Sequence, residues 1–110
     1  MYNEVCLLLR KIGLRGTLCG FYYILNAILL ALNDTSYLLN LTKRLYPEIA
    51  SLYNVTPAQV ERSMRSAIDL IWNKGNITIL EEMVGYKIKH KPYVGEFIDI
   101  ISGYFRSMIR

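Results

Sequence analysis

Apolar residues recur along this chain three and four positions apart, the period of an α-helix, and nowhere in the strict alternation of a half-buried strand. Over residues 4–12 the repeat is Val5, Leu8, Leu9 and Ile12, which predicts a short first helix broken by Gly13 and Gly16. Residues 18–32 are apolar on nearly every side, so they predict a second helix at the centre of the fold, with Thr17 as its cap. Asn33 and Asp34 end that helix, and Asp34 or Thr35 can cap a third, whose stripe is Tyr37, Leu38, Leu41 and Leu45. Pro47 falls inside the stripe, where it must kink the helix or open a new one. Ile49, Ala50 and Leu52 then continue the apolar face to Tyr53.

Asn54-Val55-Thr56 reads as a connector, and Thr56-Pro57-Ala58-Gln59 as a helix start. Thr56 suits the N-cap, Pro57 the first helical position, and Gln59 completes a capping box. The helix is expected to reach Asn73 or Lys74 and stop at Gly75. Asn76 caps a short helix holding Ile77, Leu80 and Val84, ended by Gly85. Residues 86–92 form an irregular basic segment with at most a brief extended piece. A last helix runs from Tyr93 or Val94 towards Met108, with Phe97, Ile100, Ile101, Tyr104 and Phe105 inward. The pattern therefore predicts an all-α fold of about six helices in one domain, 1–110, with a helix-turn-helix at about 47–74.

Composition adds limits. A chain of 110 residues with 53% hydrophobic and 20% charged side chains can build one buried core and is not disordered. A net charge of +4 suits a polyanionic partner without demanding one. Cys6 and Cys19 are the only cysteines, without metal-binding spacing, and are expected to be buried, inert thiols in a reducing cytoplasm. The basic flank and apolar run near the start look like a signal peptide. The run is shorter than the roughly 20 residues of a membrane span and carries Asn26 in its middle, so a core helix is the expectation. Asn-x-Thr sequons at Asn33, Asn40, Asn54 and Asn76 are discounted as ordinary helix-end and turn residues in a cytoplasmic chain.

The chemistry concentrates on the helix that begins at Pro57. Val60, Met64, Ala67, Ile68 and Ile71 share one face and should pack inward. Ala58, Gln59, Arg62, Arg65, Ser66 and Asp69 lie opposite, with Glu61 on the flank. Such a face can reach base edges, because the major groove, about 12 Å wide, admits one helix. Arginine meets guanine O6 and N7 together, glutamine can serve adenine in the same two-point manner, and glutamate can accept from cytosine N4. The plainer alternative is a solvated face with an intrahelical Glu61–Arg65 pair. Lys43, Arg44, Thr56, Lys74, Lys87, Lys89, His90 and Lys91 are candidate phosphate contacts, which supply affinity but no sequence reading. Lys87, Lys89 and Lys91 fall on one side if that segment is extended. No enzyme is expected: Glu81 and Glu82 are adjacent and do not share a helix face, and His90 has no orienting partner. No triad, phosphate loop or metal cluster is written in the chain, so no cofactor or metal is expected.

These residues carry a resemblance. Gly20-Phe21-Tyr22-Tyr23, Leu45-Tyr46-Pro47-Glu48-Ile49-Ala50, Val60-Glu61-Arg62-Ser63-Met64-Arg65-Ser66-Ala67-Ile68, Trp72-Asn73-Lys74-Gly75-Asn76-Ile77 and Gly85-Tyr86 stand in order and at family spacing. The chain, from about Val5 to Arg106, resembles the C-terminal effector domain of the master sporulation response regulator of endospore-forming bacteria. The resemblance implies a six-helix cytoplasmic transcription-factor domain that binds a TGTCGAA-like box in duplex DNA, with Glu61, Arg62 and Arg65 among the reading residues. It also implies dimers on tandem sites; a full-length regulator or RNA polymerase is a further candidate partner. Gln59 stands where the family usually has arginine and Ser66 where it usually has histidine. Both lie on the groove face, where they bear on base preference. Pro57 and Ala58 replace small or polar family residues and bear on a phosphate contact there.

Family proteins carry an N-terminal receiver, whereas here Met1 directly precedes the effector helices. The chain reads as a stand-alone homologue or as a shortened piece of a longer protein. If it stands alone, no aspartyl-phosphate switch operates in it, and the receiver's metal is absent. A second reading, different in class, is a protein-interaction module that pairs with a full-length regulator and has lost specific DNA reading.

Overall fold

The apolar stripes close on one another as six α-helices in the computed structural model, which describes residues 1–108. They are α1 (Tyr2–Lys11), α2 (Cys19–Asn33), α3 (Tyr46–Tyr53), α4 (Pro57–Lys74), α5 (Ile77–Val84) and α6 (Val94–Met108). The described residues contain no strand. α2 runs through the middle, packed against α1, α4 and α6, and buries Phe21, Tyr23, Ile24, Leu25, Ala27, Ile28 and Ala31. The Nδ2 of its one interior polar residue, Asn26, donates to the Tyr22 carbonyl at 2.8 Å and to the Tyr53 hydroxyl at 2.7 Å. No helix among the described residues is long and apolar enough to cross a membrane.

Burial, not capping, decides where α2 begins. Its N-cap is Leu18, with no side-chain bond, so the cap expected from Thr17 does not form. A missing cap costs about 1 kcal/mol, whereas each fully buried large apolar side chain contributes about 1.5–3 kcal/mol. The cap expected from the Asn76 side chain is absent too; instead its backbone N–H donates to the Ile12 carbonyl at 3.0 Å and joins the ends of α1 and α4. At the other end of α2, an Arg106 guanidinium N–H donates to the Ala31 carbonyl at 2.6 Å and fastens α6.

The expected third helix is broken. Residues Thr35–Leu39 form a tight 3₁₀ turn and Leu41–Leu45 a wide π turn, before α3 starts at Tyr46 with Pro47 in its first turn. Asp34 caps the 3₁₀ turn as expected, its Oδ1 accepting from the Ser36 N–H at 2.9 Å and the Ser36 hydroxyl at 2.7 Å. The helical run is interrupted at Asn40, which leaves helical geometry at φ −137 and ψ 55 between the two turns. Leu39 is consequently left 84% exposed, while Tyr37 and Leu45 reach the core. α6 is also rotated from expectation. Val94, Phe97, Ile98, Ile101, Ser102 and Phe105 are buried, and Ile100 and Tyr104 sit at the margin. Cys19 is exposed and Cys6 half-buried, which corrects the expectation of buried thiols; Cys19 is the first residue of α2, one position ahead of the buried face.

Candidate nucleic-acid interface

α4 is placed by local chemistry at its start and by packing along its length. The N–H of Gln59 donates to Thr56 Oγ1 at 3.2 Å, and Gln59 Oε1 accepts from the Thr56 N–H at 2.8 Å, closing the capping box. Asn54 ends α3 at φ 54, in the left-handed region, and the Val55 N–H donates back to the Ala50 carbonyl at 3.0 Å. Asparagine tolerates this conformation, so it takes the turn position a glycine would fill. α3, a three-residue turn and α4 thus form the expected helix-turn-helix. Val60, Met64, Ala67, Ile68 and Ile71 are buried, as the period required. Gly20 lets α2 close on this helix: a Cβ there would stand 2.6 Å from the Ser63 carbonyl oxygen.

The outward ridge of α4 carries Ala58, Gln59, Arg62, Arg65 and Ser66, all exposed, with Glu61 and Asp69 half-buried. Two shallow clefts flank it. On one side Arg62, Ser63 and Ser66 face Leu18, Cys19 and Gly20 at the start of α2. Arg62 enters no ion pair or side-chain hydrogen bond among the described residues, and its guanidinium is available. On the other side Glu61, Arg65 and Asp69 face Thr42, Tyr46, Lys91 and Tyr93. There Arg65 lies 3.6 Å from Glu61, and Lys91 Nζ lies 2.6 Å from Asp69 Oδ1. Tyr46 lines the same cleft; burial first, then the Glu61 charge, pushes its phenol up, so it stays neutral.

The other basic candidates separate clearly. Lys87 and Lys89 are exposed on the segment between α5 and α6, where Ile88 and Pro92 are buried and the Ile88 N–H donates to Glu81 Oε2 at 2.7 Å. That segment is irregular, yet it brings Lys91 onto the α4 flank. His90 is exposed on the same segment. Lys74 is exposed in the last turn of α4. Arg44 is held elsewhere: it pairs with Asp34 at 3.0 Å, donates to the Ser36 hydroxyl, and lies over the Tyr37 ring at 4.0 Å. None of these partners belongs to α4. Lys43 is exposed on the turn leading to α3, in a groove lined by residues 38–43. The Thr56 hydroxyl is engaged by the capping box. Sequence reasoning missed Thr42 and Tyr93, the latter 80% exposed, as walls of the Arg65 cleft. Neither has a signal in the helical period, since both lie outside α-helices.

One comparison fits this geometry. The family described as "Sporulation initiation factor Spo0A C terminal" matches residues 5–105, which is nearly all of the chain. It is a family of DNA-binding regulatory domains of sporulation initiation, not of enzymes. The match spans all the described helices apart from the first and last few residues. The chain belongs to the family of Spo0A C-terminal domains.

Proposed function

We propose that this domain reads duplex DNA sequence-specifically, with α4 in the major groove of a TGTCGAA-like box. The observation that carries the reading is the outward pair of arginines on a rigid, capped helix: among the described residues Arg62 is unpaired, and Arg65 is held only by a surface contact to Glu61. Releasing an intrahelical surface pair costs about 0.3–0.5 kcal/mol, whereas a two-point arginine–guanine contact returns about 1–3 kcal/mol. The Glu61 pair is therefore too weak to keep Arg65 from a base edge. Arg62 and Arg65 take guanine edges, Glu61 accepts from cytosine N4, and Gln59 and Ser66 contact neighbouring groups. Lys91, Lys87 and Lys89 meet phosphates on one border of the groove. Lys74 lies about 18 Å beyond Arg62 along the helix axis and meets the backbone there. Arg44 is left out because its guanidinium already has partners. The domain works in the cytoplasm and binds tandem boxes as a pair of copies.

A mobility-shift titration tests this with the TGTCGAA duplex and a scrambled duplex of equal length. The box is expected to bind at least tenfold tighter at moderate salt. Equal binding to both duplexes, together with association to a full-length regulator in the ultracentrifuge, would replace this reading with that of an interaction module.

A further inference from the structure

The carboxamide of Gln59 faces the solvent at the start of the recognition helix with its two ends in different states. Its oxygen accepts from the Thr56 N–H at 2.8 Å and from the Thr56 hydroxyl at 3.2 Å. A carbonyl oxygen has two lone pairs, so the acceptor is saturated, while the amide N–H₂ keeps both donors. Two-point reading of adenine needs a free oxygen to accept from N6 and an N–H to donate to N7. The Thr56 clamp removes the first half of that contact.

We propose that Gln59 is a one-ended donor: its Nε2 gives a hydrogen bond to an acceptor on the DNA, and it does not recognise the adenine amino group. The acceptor is an oxygen or nitrogen facing the groove start, either a purine N7 or guanine O6 or a phosphate oxygen. This deepens, and rests on, the major-groove reading of α4. It separates this chain from a domain with arginine at the same place. A guanidinium has no oxygen to lend to a cap, so the capping box and the DNA contact there would fall to different groups. In this chain one side chain does both: its oxygen holds the helix start and its nitrogen faces the partner. The Thr56 hydroxyl and N–H are bound in the same clamp, so the expected Thr56–phosphate contact competes with the cap.

Two variants and modified duplexes test it. Gln59→Glu keeps an accepting oxygen and removes the donors; it should leave the thermal midpoint of the free domain unchanged. Gln59→Ala removes both and should lower it by a few degrees. On the TGTCGAA duplex, Gln59→Ala should weaken binding about threefold to tenfold, the value of one hydrogen bond. That loss should vanish on a duplex lacking the partner acceptor. A 7-deazapurine that abolishes it assigns a base, and a methylphosphonate assigns a phosphate. The loss should persist in full when each adenine is replaced by purine, which lacks the amino group. A loss that disappears with one adenine amino group overturns the proposal and restores two-point reading. A loss that persists on every modified duplex also overturns it and makes Gln59 a cap alone. Failure of the wild-type domain to prefer the box over scrambled DNA defeats the major-groove reading itself, a result distinct from both.

Discussion

The two flanks of α4 are built from the same helix and carry the same residue type, yet they differ in charge economy. On the α2 side Arg62 has no partner among the described residues, and its neighbours are Ser63, Ser66 and the start of α2. On the opposite side Arg65 and Lys91 each lie against an acid, Glu61 and Asp69. The first flank is ready for an anion without rearrangement; the second must exchange an internal carboxylate for an external partner. Surface pairs are weak, so this exchange tunes affinity without forbidding it. On the proposed major-groove reading, Glu61 and Asp69 would repel phosphate wherever the fit is poor.

The harshest way to break the comparison is to remove the floor that both flanks share. Met64 is fully buried beneath the ridge, and Met64→Ala should cost about 2–5 kcal/mol of stability, read as a large drop in thermal midpoint. Next, Arg62→Ala should weaken box binding by about 1–3 kcal/mol and relax preference at a single base position. Fluorescence anisotropy over a set of single-base variants checks this, and uniform weakening at every position would assign Arg62 to the backbone instead. Asp69→Asn should have the opposite sign and a smaller size. Freeing Lys91 for phosphate should tighten binding by a few-fold and steepen the dependence of log K on log salt by about one unit. An unchanged slope would show that Lys91 does not reach the DNA.

The smallest effect lies away from both flanks. The Ser36 hydroxyl and N–H, followed by Arg44, hold the Asp34 carboxyl at about 2, below its ordinary 3.8. A depressed carboxylate stabilises the fold above its ordinary range, and that contribution fades as pH falls through about 2. Asp34→Asn should therefore flatten the acid limb of the stability curve between pH 4 and 2, followed by circular dichroism, and leave box binding near neutrality unchanged.

The start, length and buried face of α4 were legible because each depends on residues within four positions of one another. Thr56, Pro57 and Gln59 encode the cap locally, and the spacing of Val60, Met64, Ala67, Ile68 and Ile71 encodes the inward face. The segment after α2 was not legible in the same way. Tyr37, Leu38, Leu41 and Leu45 carry a helical period, but Asp34 draws on Ser36 and, ten residues away, on Arg44, and together they hold a different path. On α6 the helical period placed Ile100 and Tyr104 inward beside Phe97, Ile101 and Phe105, whereas the structure buries Ile98 and Ser102 beside them. Packing against α2 decided between the two pairs. The exposed Cys19 shows the same limit, since composition predicts average burial and not which side of a helix end faces out.

For the site, the order of residues alone determined which helix turns its arginines outward, because a capped amphipathic helix has one face to bury and one to show. Only the tertiary structure decided what stands beside those arginines. The tie between Lys91 and Asp69 spans 22 positions, and the walls supplied by Thr42, Tyr93 and the start of α2 come from separate elements. Local hydrogen bonds and side-chain period act over a single turn of chain and can be read along it. Contacts between distant segments arise only when the core has closed and fixed which surfaces meet.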